Sequence, residues 1–193
     1  MDTLLEKIAE KIKKDPHCYQ AYWDMLAICR ETMKTDVQLA RKYLEQLSDD
    51  LEALIPTIAD IGNMRKMFAL HREVVFAGAK DSFHLCLLAA EWNRDPEKKF
   101  YAPRRKVLRE VVEALQDLED GKLELAAISL PPGAGKTTLA IFYLCWIAGR
   151  HPEEPTLTGS HSNSFVRGVY DECLRIFDTN GEYLWYDPTI PGG

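Results

Sequence analysis

The stretch Leu123-Glu-Leu-Ala-Ala-Ile-Ser-Leu130, continued by Pro131-Pro-Gly-Ala-Gly-Lys-Thr-Thr138, decides how the chain reads. Its first eight residues are a short, mostly apolar run of the kind that makes a buried parallel strand. Pro131 and Pro132 stiffen the approach, while Gly133 and Gly135 let the backbone turn tightly and aim its N–H groups inward. An apolar helix follows, from Leu139 to Ala148, closed by Gly149. The positive end of such a helix favours an anion. Lys136 is expected to reach the β- and γ-phosphates of ATP, and the Thr137 hydroxyl to help hold Mg²⁺. Pro132, Gly133, Ala134 and Gly135 then form the phosphate cradle, with Thr138 at its edge, capping or packing. The strict pattern G-x-x-x-x-G-K-[ST] wants glycine where Leu130 stands, so the motif departs from it at the first position.

Downstream, Pro155-Thr-Leu-Thr-Gly-Ser160 reads as a second strand and Asn163 to Phe177 as a second helix. Strand, helix, strand, helix is the order of an α/β sheet. Ser160, His161 and Ser162 would stand at the strand's end, where open α/β sheets hold ligands. They are candidates for sensing nucleotide or touching DNA, although Ser162 or Asn163 equally suits a helix cap. Upstream, Phe100-Tyr-Ala-Pro103 enters a helix striped by Val107, Leu108, Val111, Val112, Leu115 and Leu118, and Asp120-Gly121 ends it. Tyr101, Arg104 and Arg105 offer an aromatic ring and guanidinium groups that could sandwich adenine, the alternative being a plain surface helix start.

Residues 1–95 read as a helical N-terminal region and 97–193 as the first part of a nucleotide-binding domain. Leu4, Leu5, Ile8 and Ile12 mark one helix face, stopped by Asp15-Pro16. Tyr19, Tyr22, Trp23, Leu26 and Met33 mark a second, and Val37, Ala40, Leu44 and Leu47 a third that starts near Thr35-Asp36. Met64, Met67, Phe68, His71, Val74 and Val75 follow, with a break at Gly78 and Asp81-Ser82 before a helix from Phe83 through Trp92. His71 on an apolar face reads as a core histidine.

Of 193 residues, 46% are hydrophobic and 28% charged, the composition of an ordinary globular chain. No run approaches the ~20 apolar residues of a membrane span, and the start lacks a secretion-signal pattern; a cytoplasmic protein is expected. Five cysteines are scattered without a C-x-x-C pair and read as buried apolar residues. The net charge of −6 argues against a surface that clamps nucleic acid throughout. It leaves room for a local basic stripe: Lys98, Lys99, Arg104, Arg105, Lys106 and Arg109 come without an acid between them.

Phe100-Tyr-Ala-Pro-Arg-Arg-Lys, Ile128-Ser-Leu-Pro-Pro-Gly-Ala-Gly-Lys-Thr137 and Thr158-Gly-Ser-His-Ser162, in that succession, resemble the ATPase domain of tailed-phage terminase large subunits. The likeness covers roughly residues 97–190. It implies a P-loop NTPase fold, a parallel sheet with flanking helices, here incomplete and preceded by an all-helical region. It also implies ATP hydrolysis coupled to translocation of double-stranded DNA in a bacterial host cell. A portal protein, a small terminase subunit and homo-oligomer assembly come with it, as does a C-terminal nuclease. By the same likeness Lys136 and Thr137 match the phosphate and magnesium residues, and Tyr101 to Arg105 the upstream adenine region. No apolar strand ending in Asp-Glu follows the loop, and the chain ends at Trp185-Tyr-Asp-Pro188 and Pro191-Gly-Gly. The main base and metal partner of phosphoryl transfer are therefore missing, so a fragment that barely hydrolyses ATP is expected. Another P-loop ATPase, AAA+ or helicase-like, and a non-catalytic interaction module are the alternatives.

Overall fold

Leu5, Ala9 and Ile12 recur every three to four residues and form the buried face of α1 (Asp2–Lys14). This helix opens a computed structural model that describes residues 2–180. The chain divides into two compact units, Met1–Leu85 and Cys86–Gly193.

The first unit is built of helices that pack in chain order. α2 (Tyr19–Thr32) follows α1 after Pro16, whose carbonyl accepts the Tyr22 hydroxyl at 3.1 Å. α3 (Val37–Leu54) is started by Asp36, whose carboxylate accepts the Leu39 N–H at 2.9 Å. α4 (Ile61–Gly78) is started in the same way by Asp60, bonded to the Asn63 N–H at 2.7 Å. Leu26 and Cys29 of α2, Leu44, Leu47 and Leu51 of α3, and Leu70 and Val74 of α4 are buried together as the core. Inside it the Ser48 hydroxyl and the His71 imidazole share a hydrogen bond of 3.0 Å, which makes His71 a satisfied core residue. α4 ends where α5 (Phe83–Ala90) must pass closely. A Cβ on Gly78 would lie 2.2 Å from the Leu85 side chain.

The second unit begins within α5. After short 3₁₀ turns at Pro96–Lys98 and Ala102–Arg104 it continues as α6 (Arg105–Glu119), α7 (Lys136–Arg150) and α8 (Asn163–Asn180). Leu108, Val112 and Leu115 are the buried face of α6, whereas Val107 is exposed. Gly121, with φ +70°, turns the chain out of α6 in the left-handed region that glycine adopts most readily. Glu119 at the end of α6 joins Arg150 (2.8 Å) and His151 (2.7 Å) at the end of α7. Those bonds fix one end of this helix pair.

The sheet expected from the sequence is not there. Among the described residues no β-strand occurs, and the unit is helical throughout, so a parallel-sheet P-loop fold is overturned. Leu123–Leu130 and Pro155–Ser160, read as two buried strands, run as loops instead. Leu125 is 83% exposed and Leu157 is 96% exposed, the opposite of what a buried parallel strand requires. The physical reason is that a strand is a property of a pair. An apolar run becomes one only where a neighbour completes its hydrogen bonds, and periodicity alone does not reveal that neighbour. Trp185-Tyr-Asp-Pro188 and the Pro191-Gly-Gly end lie outside the described residues. Among those described, no helix is long and apolar enough to cross a membrane.

Candidate phosphate-binding site

The loop before α7 is shaped by its two glycines. The Ala134 N–H donates to the Pro131 carbonyl at 3.2 Å, closing a four-residue turn with Pro132 second and Gly133 third. Gly133 has φ +82°, so the turn has the residue choice and handedness of type II. Gly135 then takes φ +93° and ψ +20° and is the N-cap of α7, with no side-chain hydrogen bond covering the helix start. The first helical bond runs from the Leu139 N–H to the Gly135 carbonyl at 2.9 Å. Lys136, Thr137 and Thr138 are therefore the first three helical residues, whose N–H groups have no partner within the helix.

Glycine at 135 is demanded twice over. Its φ is unfavourable for a side chain, and a Cβ there would lie 2.2 Å from Cε2 of Phe100. That ring stacks on Phe142, in the second turn of α7, with centroids 6.1 Å apart and planes 13° from parallel. The Arg104 guanidinium lies 5.5 Å from the Phe100 centroid and donates to the Phe100 carbonyl at 3.1 Å. Arg94 sits over the Phe142 ring at 5.7 Å. An aromatic pair flanked by two guanidinium groups thus abuts the helix start.

The Phe100 segment is held by a residue the sequence reading did not single out. Glu91, 2% exposed, accepts the N–H groups of Phe100 (2.5 Å), Tyr101 (2.7 Å) and Ala102 (3.1 Å). A buried carboxylate satisfied by backbone donors is a strong local anchor. The signal in the sequence is faint: an acid ending the apolar run Phe83–Ala90, nine residues before the aromatic pair Phe100-Tyr101.

A cleft of about 480 Å³ lies between the loop and Phe100. Pro132, Gly133, Gly135, Lys136, Thr137 and Thr138 line it on one side and Phe100 and Arg104 on the other. The structure thereby brings Arg104 to the loop residues. Tyr101 is fully buried and belongs to the core, and Arg105 is half-buried at the first position of α6. Ser160 and His161 are exposed. Ser162 starts α8: its hydroxyl meets that of Ser164 at 2.7 Å and accepts the Phe165 N–H at 3.5 Å. His161 stacks on Phe165 at 6.5 Å. In the basic stripe, Lys98 pairs with Asp95 at 2.7 Å and Arg109 with Glu113 at 2.8 Å.

Comparison with known proteins found no match: no family model, no curated protein and no solved structure is similar to the chain. The resemblance to terminase large subunits is accordingly corrected. No family or relative supports it, and the all-helical second unit lacks the sheet on which such a motor is built. What resembled that family is a glycine-rich turn into a helix, an element that unrelated anion sites share.

Proposed function

We propose that the Pro131–Thr138 loop and the first turn of α7 bind the phosphate end of a nucleotide, with Mg-ATP as the ligand to test. One observation carries this reading: α7 begins at a left-handed glycine with no side-chain cap, facing a cleft that holds both Lys136 and Arg104. Open N–H groups, a helix dipole and two cations in one concavity favour a polyphosphate over any neutral ligand. Lys136 and Arg104 would neutralise phosphate oxygens. The Thr137 hydroxyl, at the second helical position, suits Mg²⁺, which binds through few protein oxygens and keeps phosphate and water for the rest.

None of the described residues lining the cleft is Asp, Glu or His. No described residue of the cleft can therefore act as a general base for attack by water, and we propose binding with slow ATP turnover. Contact with double-stranded DNA, if it accompanies nucleotide binding, would run along Lys98–Arg109 and weaken steeply with salt, since the chain carries net −6. Calorimetric titration with Mg-ATP tests the reading. The wild type should release heat with a saturating isotherm, and Lys136→Ala should lose at least ~10-fold in affinity, the ~1.4 kcal/mol or more expected of a charge-assisted contact. Equal heats from both proteins would remove the loop as the site.

A further inference from the structure

A second cleft, of about 340 Å³, adjoins the first, and Thr138 lines both. Phe100 borders the first and Phe142 the second, so the stacked rings are the partition between them. On α7, Phe142 stands four residues after Thr138 and on the same face, a rise of ~6 Å along the helix. On α8, Glu172, Arg175 and Ile176 are spaced three and four apart and close the cleft from one helix face. Arg94 and Lys98 supply the remaining wall. The two clefts differ in charge. The first holds Lys136 and Arg104 with no acid among its lining residues. In the second each cation is already engaged: Lys98 with Asp95 at 2.7 Å, Arg175 with Glu172 at 2.5 Å, and Arg94 over the Phe142 ring at 5.7 Å. A further phosphate would have to compete with both carboxylates. A neutral ring with a polar edge would not. It meets the apolar Phe142 and Ile176, a guanidinium to stack on, and a carboxylate that accepts an amine N–H.

We propose that this second cleft takes the nucleobase of the nucleotide whose phosphates lie on the first turn of α7, an inference that rests on the phosphate reading of the loop. The base is one with an exocyclic amine, adenine in the case to test. Arg94 stacks on its face, and the Glu172 carboxylate accepts its amine N–H. Uracil is disfavoured, because it carries a carbonyl oxygen where the amine would be and sets it against that carboxylate. Base recognition thereby moves off Tyr101, which is buried in the core, and onto residues that face a cleft.

Calorimetry on the full chain with Mg-ATP, Mg-UTP and inorganic tripolyphosphate with Mg²⁺ separates the two readings. The wild type should bind Mg-ATP at least ~10-fold more tightly than tripolyphosphate, the gain of one stacked base. Arg94→Ala should lose that advantage and keep the wild-type affinity for tripolyphosphate. Mg-UTP should bind the wild type more weakly than Mg-ATP, and Glu172→Ala should bring the two level. Equal affinity of the wild type for Mg-ATP and tripolyphosphate would overturn the base subsite and leave the phosphate site standing. Heat from neither ligand would remove the phosphate site, and the subsite with it. Equal losses of Mg-ATP and tripolyphosphate in Arg94→Ala would make Arg94 a prop of the ring pair and overturn its contact with the base. If that variant fails to fold, photolabelling of the wild type with an azidoadenine analogue of ATP decides. Label within residues 94–98 or 172–176 supports the cleft, and label confined to other segments overturns it.

Discussion

The helices of Met1–Leu85 and the loops 121–135 and 151–162 of the second unit both contain apolar residues, yet they use them oppositely. In the first, Leu44, Leu47 and Leu51 vanish into a core. In the second, Leu125 and Leu157 stand in water. A helix satisfies its own backbone hydrogen bonds within a few residues, so its stripe needs only another stripe to bury it. An apolar run without that internal bonding takes its structure from a neighbour. The difference teaches that apolar content predicts burial only together with a local hydrogen-bonding scheme.

The largest effect should come from deleting side chains on the two sides of this contrast. Leu44→Ala, fully buried, should destabilise by ~2–5 kcal/mol in denaturant unfolding. Leu125→Ala should stay within ~0.5 kcal/mol of wild type. A Leu125→Ala loss as large as that of Leu44→Ala would mean the 121–130 segment is packed after all, and would collapse the comparison. Somewhat smaller, and within the second unit, Glu91→Ala should cost ~1–3 kcal/mol by stranding three backbone donors. Its tryptophan fluorescence should also change on release of the neighbouring Phe100 segment, while the exposed Glu97→Ala leaves both readouts alone.

These contrasts mark how far the fold was legible. The five helices through Ala90 could be read from stripes and punctuation: Asp15-Pro16, Asp36 and Gly78 each end or start an element near where the sequence places it. α6, α7 and α8 were legible for the same reason. The strands were not, because Leu123–Leu130 has the composition of a strand, and composition says nothing about a partner. At the candidate site the loop was readable, since glycine at 133 and 135 signals positive φ. The wall opposite was not. Phe100 rather than Tyr101 faces the loop, on a segment held by the Glu91 carboxylate nine residues before Phe100, which no spacing rule would supply.

The loop itself can be tested at its glycines. Gly135→Ala meets both a left-handed φ and the Phe100 ring, whereas Gly121→Ala meets a left-handed φ with nothing within 4 Å. The first should destabilise by ~2–3 kcal/mol, combining backbone strain with a clash, and the second by ~1 kcal/mol. Thermal unfolding of the two variants side by side checks this. Equal losses would show that Phe100 moves aside freely, and that the wall of the cleft is not held in register with the start of α7.

The smallest effect returns to the helical unit, where burial works against a charge. Asp50 on α3 is half-buried, and burial, reinforced by Asp49, raises its carboxyl above the usual range although Lys13 and Gln46 pull the other way. A carboxyl raised in the folded state binds its proton more tightly there than in the unfolded chain. Its ionised form therefore weakens folding above the raised value, and that loss disappears as pH falls below the unfolded value. Asp50→Asn removes the charge and keeps the shape. At pH ~7 the variant should melt slightly above wild type, and near the ordinary carboxylate value of ~4 the gap should narrow. A variant that instead melts below wild type at pH ~7, with the deficit closing towards acid, would mean that Lys13 governs Asp50 more than burial does, so that even this half-buried position answers to its charged neighbour before its packing.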